Sequence, residues 1–380
     1  MIAGNDGGAM LAGVKVIDLT SVVFGPYTTK ILADLGAEVT KVEALAGDTA
    51  RYIGKPSASP GMGPVFMALS RGKTSLALDL KLPESVARVQ ALIAEADVFI
   101  LNIRGKAAER LGFDYDAVKA IRPDIIYVHC TGFAQDGPYA DLQAYDDVIQ
   151  AASGTTSLLS RVDGDPRPRY LPSLIADKVS GLHGAYAVLG AIIHRMRTGE
   201  GQRVEVPMFE AFTNFMLLEH LSGLTFDPPN APACYFRQID PDRQPFPTSD
   251  GAISIVPYTL EIMPRVFAVL EDADYPDSDE ITACTSYAQK IALFYRRIAA
   301  LTPSFTTAEL VERCHKAQIP AQAVRDMADI MDDPHLHATG FFERRSHPSE
   351  GDWFAMKPPV KFGVKVPVAN AEPPLLGAST

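Results

Sequence analysis

Short apolar runs with the length of β-strands recur along the N-terminal part of the chain, at VKVIDL, AEVTKVE, TSLALDL, DVFILN and DIIYVHCTGF. Between them lie segments whose apolar residues are three and four positions apart, the spacing of a helix with one buried face. Strands that alternate with helices are typical of β-α-β units, which form parallel sheets. The pattern therefore predicts an α/β fold with a Rossmann-like parallel sheet over roughly the first half of the chain.

A longer helical pattern occupies much of the segment 172–206, PSLIADKVSGLHGAYAVLGAIIHRMRTGEGQRVEV. The larger apolar side chains fall on one face, and Gly and Ala make up most of the remaining surface. Because small residues let another element approach closely, we expect tight packing on the Gly/Ala surface. The residues of the larger apolar face are Val179, Leu182, Tyr186, Leu189, Ile193 and Met196.

The first turn of this helix carries one acidic residue, Asp177, and no other acid follows until Glu200. Aspartate is favoured at helix N-caps, because its carboxylate accepts a backbone N–H and suits the positive end of the helix dipole. Taken by itself, the segment favours Asp177 as an N-cap. A chemical role needs support from the rest of the chain.

The chain has 380 residues, more than one small core can use, so two domains are expected. A stretch rich in Pro, Asp and Phe at 222–250 separates the alternating pattern from mainly helical segments. We predict four parts: a flexible leader, a large Rossmann-like domain, a smaller α+β domain, and a linker with a C-terminal tail that returns to the large domain. Their predicted bounds are 1–10, 11–224, 225–325 and 326–380.

The composition excludes several classes of function. A net charge of −11 argues against a nucleic-acid or membrane surface, and no apolar run reaches the roughly 18 residues that span a bilayer. The four cysteines are widely spaced without a CxxC motif, which predicts reduced thiols and a cytoplasmic location. His335 and His337 have no further ligand cluster nearby, so no metal site is expected. GMGPVF at 61–66 is an incomplete dinucleotide fingerprint, and no P-loop is present, so no bound cofactor is expected.

Five segments, taken in chain order, resemble the class III coenzyme A transferase family. This family includes formyl-CoA:oxalate and carnitine CoA-transferases and, as a divergent branch, α-methylacyl-CoA racemase. The resemblance covers residues 11–215 well and the remainder loosely. The segments are LAGVKVIDLTSVVFGPYTTKILADLGAEVTKVE, SRGKTSLALDLK, ADVFILNIRGKAAERLGFDY, GFAQDGPYAD and IADKVSG…RMRTGEGQRVEVPMFEA.

The resemblance implies a fold and partners. The fold is a Rossmann-like large domain and a small domain, joined by linkers that thread two subunits into an interlocked homodimer. The implied partners are an acyl-CoA and a free carboxylic acid, with CoA as a substrate and not as a prosthetic group.

The resemblance also implies a reaction for Asp177. In the transferases, the matching aspartate attacks the acyl-CoA thioester, and the resulting anhydride is converted by CoA thiolate into an aspartyl-CoA thioester. The acceptor acid then takes the CoA through a second anhydride, so acyl activation is retained throughout. We expect Gly181 and Gly184 to let the thioester approach and to offer N–H groups to an oxyanion.

The family's CoA contacts can be carried over position by position. Several of the matching residues are cationic, as expected for a ligand with negatively charged phosphates, which Arg binds bidentately. The resemblance implies CoA contacts at Ser21, Val22, Val23, Phe24, Leu78, Lys81, Asn102, Ile103, Arg104, Arg110, Gln143 and Tyr145.

Three departures from formyl-CoA transferase bear on specificity. Gln143 stands where that enzyme has a lysine, and Ala44 stands where it has an arginine. Its glycine-rich lid loop has no counterpart in the corresponding region, 240–250, which reads DPDRQPFPTSD. The acceptor acid therefore stays open.

Two alternatives remain, a 2-methylacyl-CoA racemase of the same fold and a CoA-binding protein without turnover. Racemisation needs an acid and a base with pKa values near the working pH. The racemase branch has a histidine where this chain has Tyr145, and the reference pKa of tyrosine is about 10 against about 6.5 for histidine. Neither His129 nor His183 replaces it in sequence, which favours the transferase.

Overall fold

The computed structural model describes residues 9–55, 57–363 and 371–379. These residues form two units, each described here by itself. The first contains the described residues up to 155, residues 170–216, and the described residues from 336 onward. Residues 1–8, most of the predicted leader, lie outside the described part.

A six-stranded sheet with every neighbouring pair parallel forms the centre of the first unit. The strand order is β3-β2-β1-β4-β5-β6. This confirms the predicted mixed α/β fold with a parallel sheet. The strands are β1 Lys15–Leu19, β2 Glu38–Glu43, β3 Lys73–Ala77, β4 Val98–Leu101, β5 Ile126–Thr131 and β6 Gln202–Pro207.

Helices connect these strands and are numbered in chain order. The first six are α1 Phe24–Asp34, α2 Pro64–Ser70, α3 Pro83–Glu95, α4 Gly105–Leu111, α5 Tyr115–Ile121 and α6 Asp146–Ala152. The next three are α7 Leu158–Asp163, which belongs to the second unit, α8 Ile175–Thr198 and α9 Met208–His220, which runs from the first unit into the second.

Both faces of the parallel sheet are buried. Val16 and Ile100 lie in a core that includes Leu32 of α1 and Val188 of α8. Their sequence neighbours point to the opposite face, as alternation along a strand requires, and pack with α3 and α5. Burial on both faces explains the nearly continuous apolar runs of the sequence.

The buried face of α8 is the glycine and alanine face. Gly181, Gly184 and Ala185 are buried, whereas four residues of the larger apolar face are exposed by half or more of their surface. We call these four residues the α8 outer face: Leu182, Tyr186, Ile193 and Met196. Close packing on the small residues is therefore observed, and of the larger face only Val179 is buried, with Leu189 packed against the core.

Small residues are needed where α8 meets α1. A Cβ on Gly181 would lie 2.8 Å from the ring of Tyr27, and one on Gly184 would lie 2.4 Å from Thr28 Oγ1. The Thr28 hydroxyl also donates to the Gly181 carbonyl at 3.1 Å, so this contact is both tight and hydrogen-bonded.

The second unit contains residues 156–169 and 217–335. It begins earlier and ends later than the predicted small domain, 225–325. Its three-stranded antiparallel sheet packs with helices around an aromatic core that includes Phe267 and Phe294. Its elements are α7, β7 Phe246–Pro247, β8 Ala252–Ile255, α10 Met263–Val269, α11 Asp279–Thr282, α12 Tyr287–Leu301, α13 Thr307–Lys316 and β9 Ala321–Ala323.

After α14 (Pro334–Ala338), the chain forms an antiparallel hairpin that the sequence patterns did not indicate, β10 Phe342–His347 with β11 Gly351–Met356. Residues 364–370 lie outside the described part. In the segment 371–379, the Gly377 N–H donates to Ser75 Oγ at 3.1 Å. This final segment therefore contacts β3 in the first unit.

The packing of α1 on α8 generates a first prediction. Gly184→Ala should lower the free energy of unfolding by about 1–3 kcal/mol, because its Cβ would overlap the Thr28 side chain. The measurement is urea-induced unfolding of the purified variant.

Gly190→Ala is the matched control in the same helix, because nothing lies within 4 Å of its position. It should raise the free energy of unfolding by about 0.5–1 kcal/mol, the gain expected from replacing glycine in a helix. Equal effects of the two substitutions would contradict close packing at Gly184.

Candidate active site

The candidate site lies at the carboxyl edge of the parallel sheet. From β1 the chain runs outward to β2 and β3 and then crosses to β4 on the other side of β1. The connections that leave β1 and β4 therefore diverge, and this type of crevice is where open α/β sheets bind ligands. Ser21 and Asn102 follow these two strands, and the candidate residues of the two loops lie together.

Asn102 clamps the turn that follows β1. Its Oδ1 accepts the Ser21 N–H at 3.0 Å, and its Nδ2 donates to the Ser21 carbonyl at 3.0 Å. Val23 and Phe24 continue this turn and are buried, with Phe24 as the first residue of α1. The predicted contacts after β1 and β4 are thus joined by direct hydrogen bonds.

Asp177 does not cap α8. The N-cap position is Leu174, and Asp177 is the third residue of the helix. The capping acceptor comes from another element, because Asp146 Oδ1 accepts the N–H groups of Ala176 at 2.7 Å and of Asp177 at 3.1 Å. The N-cap interpretation of Asp177 is therefore wrong, and its carboxylate is available for another role.

The surroundings of Asp177 make its ionisation unfavourable. The residue is 7% exposed. Burial and the neighbouring charge of Asp146 raise the pKa of Asp177 from 3.8 to about 7, against a lowering contribution from the nearby Phe24 backbone. A carboxyl group with this pKa is a stronger base than an ordinary aspartate, yet it is substantially ionised at neutral pH.

The N-terminal ends of two helices converge on this carboxylate. Phe24 begins α1, and its backbone is close enough to Asp177 to lower the pKa of that carboxyl group. Helix N-termini carry a partial positive charge and unpaired N–H groups, both of which stabilise an anion. The expected role of Gly181 and Gly184 as oxyanion donors is wrong: both lie inside α8 and face α1, and interior N–H groups serve the helix's own hydrogen bonds.

Asp146 is held in place by Gln150, one helical turn further along α6. Gln150 Nε2 donates to Asp146 Oδ2 at 2.6 Å, and Gln150 Oε1 accepts the Leu171 N–H at 2.9 Å. Both side chains are buried. This pair was not predicted from the sequence, although its spacing of four residues in QAYDDVIQ was a visible signal.

The other predicted contacts are more dispersed. Leu78 is buried just after β3, while Lys81 lies exposed beyond it, two strands away from β1. Ile103 is half-buried, and Arg104 and Arg110 are exposed at the start and in the last turn of α4. Gln143 and Tyr145 are exposed on the segment that leads into α6. No hydrogen bond that the structure shows in its described residues joins these side chains to Asp177.

The two histidines considered in the sequence make local contacts. His129 is buried, its Nε2 lies 2.9 Å from the Ile103 carbonyl, and burial lowers its pKa. His183 Nδ1 lies 2.9 Å from the Val179 carbonyl of its own helix. Neither contact is with Asp177.

Comparison with known proteins decides the family. The family model described as CoA-transferase family III matches residues 11–380. The chain belongs to CoA-transferase family III. It is therefore a CoA-transferase, an enzyme of a family that uses CoA thioesters as substrates. The resemblance stated from the sequence segments is confirmed.

Two relatives and one solved structure support the assignment. The chain is 29% identical to a succinate–glutarate CoA-transferase of Agrobacterium fabrum over 96% of this chain and 90% of that protein. It is 31% identical to the β subunit of a succinyl-CoA–L-malate CoA-transferase of Chloroflexus aurantiacus, over 86% and 81%. A CaiB/BaiF family protein of Brucella suis superposes with a TM-score of 0.82 at 26% identity, over 98% and 97% of the two chains.

These findings bear on the alternatives. The relatives named here are CoA-transferases, so neither the racemase nor the binding protein without turnover is supported. Within the described residues, no group of three or more His, Cys, Asp and Glu side chains could hold a metal ion. Nor is any described helix long and apolar enough to cross a membrane.

The Asp146–Asp177 pair generates a second prediction. Asp146→Asn keeps an oxygen that can accept the two α8 N–H groups but removes the charge that raises the pKa of Asp177. The pKa of Asp177 should therefore fall, and the acidic limb of the pH profile of kcat/KM should move to lower pH. Transferase assays across pH 5–9 measure the shift.

Asp147→Asn is the control, because Asp147 is an exposed neighbour that is not among the causes of the Asp177 shift. Its pH profile should match that of the wild type. An unmoved acidic limb in Asp146→Asn would mean that the charge of Asp146 does not act on the reacting group.

Proposed function

We propose that the enzyme transfers CoA from an acyl-CoA to a free carboxylic acid through a thioester on Asp177. One observation supports this proposal. Asp177 is a buried carboxylate at the meeting point of two helix N-termini, and it does not cap α8, because Asp146 accepts the N–H groups there instead. Its raised pKa, about 7, makes it more nucleophilic than an ordinary aspartate.

The reaction balances without a net proton. The Asp177 carboxylate attacks the acyl-CoA carbonyl, forms a mixed anhydride and expels CoA thiolate. The thiolate attacks the Asp177 carbonyl, releasing the donor as a free carboxylate and leaving aspartyl-CoA. The acceptor carboxylate expels the thiolate again to form a second anhydride, and attack of the thiolate on the acceptor acyl carbonyl gives the new acyl-CoA and restores Asp177.

The protein supplies groups that stabilise the negative charges of the intermediates and of CoA. Each tetrahedral intermediate places a negative oxygen close to Asp177, where the N-terminus of α1 and the backbone of Phe24 are directed. The exposed cations Lys81, Arg104 and Arg110 suit the phosphates of CoA. The turn after β1 and Asn102 would border the pantetheine and thioester portion.

The acceptor is a carboxylic acid, and dicarboxylates are the first candidates. The two relatives described above are named for succinate, glutarate and L-malate, which are all dicarboxylic acids. Gln143 and Ala44, which stand where formyl-CoA transferase has cations, argue against a site built for oxalate and formate.

A homodimer with interlocked subunits is part of the proposal. The α8 outer face exposes four large apolar side chains on one helix, and Met196 alone is 72% exposed. Contiguous apolar surface of this kind on a protein is typical of an interaction site. The family resemblance points to a second copy of the same chain as the partner.

A cytoplasmic location also stays a prediction. All four cysteines are free thiols, and Cys130 and Cys314 are buried. Unpaired thiols are typical of reducing compartments.

The nucleophile is tested by substitution and trapping. Asp177→Ala should lower the rate of CoA transfer by more than about 1,000-fold, because the covalent intermediate cannot form. Incubation of the wild type with succinyl-CoA and then hydroxylamine should give a hydroxamate on the peptide that contains residue 177, read by mass spectrometry.

Asp177→Asn is the fold control. Ionisation of Asp177 opposes folding, because its pKa of about 7 lies above the ordinary value of 3.8. Stability is therefore lost as the pH rises from about 4 to 7, and above pH 7 the asparagine variant should melt no lower than the wild type. Substantial transfer by a folded Asp177→Ala would contradict the nucleophile assignment.

The dimer is tested by sedimentation and by one substitution on the α8 outer face. The wild type should sediment as a dimer at all concentrations, and tagged and untagged dimers should not exchange subunits on mixing. Ile193→Asp should lower the melting temperature strongly if a partner covers this face, whereas the exposed neighbour substitution His194→Asp should have little effect. A monomer at every concentration would contradict the proposal.

A further inference from the structure

We propose that Asp48 is a positioning residue, which holds the turn after β1 in a left-handed conformation and so directs the N-terminus of α1 at Asp177. The inference rests on the proposed function of Asp177, but it concerns a residue that makes none of the proposed substrate contacts.

The turn after β1 contains an unfavourable backbone conformation. Val22 has a φ of +71°, in the left-handed region. A β-branched side chain is an outlier there, because its Cβ substituents crowd the backbone. Such a conformation persists only where the surrounding structure imposes it, and it is found most often at functional sites.

Asp48 and Lys41 hold the two residues on either side of Ser21. Asp48 Oδ1 accepts the Val22 N–H at 2.9 Å, and Lys41 Nζ donates to the Thr20 carbonyl at 2.7 Å. The two side chains also form an ion pair at 2.9 Å, with 2% of Asp48 and 1% of Lys41 exposed. With Asn102 on Ser21, three consecutive residues are each held by a side chain from outside the turn.

Asp48 is itself held in place by a buried ion pair between Glu43 and Arg51. The Asp48 N–H donates to Glu43 Oε2 at 3.0 Å, and Glu43 pairs with Arg51 at 2.7 Å. Arg51 lies 3.7 Å from the ring centroid of Phe66 and donates to the carbonyl of Pro374 at 3.3 Å. Buried ion pairs of this kind are rigid, because moving one partner leaves the other charge uncompensated.

The turn leads directly to the nucleophile. Only Val23 separates Val22 from Phe24, whose backbone lies near Asp177 and packs against α8, where its carbonyl oxygen would be 3.0 Å from a Cβ on Gly181. Relaxation of Val22 to an ordinary negative φ would rotate the peptide planes that enter α1. The first N–H groups of α1 would then no longer be directed at Asp177, although α1 itself stays tied to α8 through Thr28.

The test separates positioning from simple loss of stability. Asp48→Ala should slow the single-turnover formation of aspartyl-CoA by about 30–100-fold, the scale expected when a reacting group is misplaced by about 1 Å. Adding Val22→Gly to Asp48→Ala should raise the rate of aspartyl-CoA formation at least about tenfold, because glycine adopts a positive φ without crowding. The Kd for CoA should change by less than about threefold in Asp48→Ala, because the cations proposed to bind its phosphates are untouched.

Asp97→Ala is the matched control. Asp97 also forms an ion pair, with Arg195 at 2.6 Å. It precedes β4, however, and therefore lies at the amino ends of the strands, away from the carboxyl ends where the candidate site is. This variant should lose stability without losing the rate of aspartyl-CoA formation, and Val22→Gly should not improve it. If Asp48→Ala does not fold, Asp48→Leu, which fills the same space but accepts no hydrogen bond from Val22, replaces it with and without Val22→Gly, with the same expected recovery by glycine.

Three outcomes would overturn the inference: a folded Asp48→Ala whose rate lies within threefold of the wild type, no recovery by Val22→Gly, or an equal loss in Asp97→Ala. Failure of the proposed function is a different result. In that case the wild type forms no adduct with succinyl-CoA or other acyl-CoAs, or the adduct persists in Asp177→Ala.

Discussion

The contact between α1 and the glycine face of α8 determines the geometry of the site. Gly181 and Gly184 let the two helices approach so closely that the first turns of α1 lie against α8. Each helix also has its N-terminus at the same end of this contact, because the Phe24 backbone reaches Asp177. Larger residues on this face of α8 would separate the two helix ends and remove the lowering effect of the Phe24 backbone on the pKa of Asp177.

Two buried carboxylates, Asp146 and Asp177, have different roles at the start of α8. Asp146 receives two backbone N–H groups and the amide of Gln150, so it stabilises the start of α8. Asp177 lies near that negative charge and is buried, and both effects raise its pKa. The arrangement costs stability at neutral pH, since a buried acid is forced to ionise, and this is the exchange of stability for reactivity that active sites commonly show.

The sequence predicted the parallel sheet because strands buried on both faces produce apolar runs that are easily recognised, as at β4 and β5. A catalytic role for Asp177 follows only from the family resemblance and stays a prediction, since the local pattern favoured an N-cap. The cap proved to come from Asp146, which is 31 residues earlier in the chain. Local periodicity cannot indicate a partner so distant, and for the same reason it did not reveal that Asp48 holds Val22. The apolar face of α8 was visible, but hydrophobicity alone did not distinguish core from exposed surface.

A transferase differs from a hydrolase in keeping water away from its activated intermediates. In the proposed reaction, both anhydrides and the aspartyl thioester form on Asp177, and water would destroy each of them. Asp177 is 7% exposed, and α1, α6 and α8 contribute the groups that surround it. A carboxylate in such a place meets few water molecules, and the same burial that excludes water raises its pKa. In the proposed reaction, low exposure therefore accounts both for the raised pKa of the proposed nucleophile and for the survival of the activated acyl group until an acceptor carboxylate arrives.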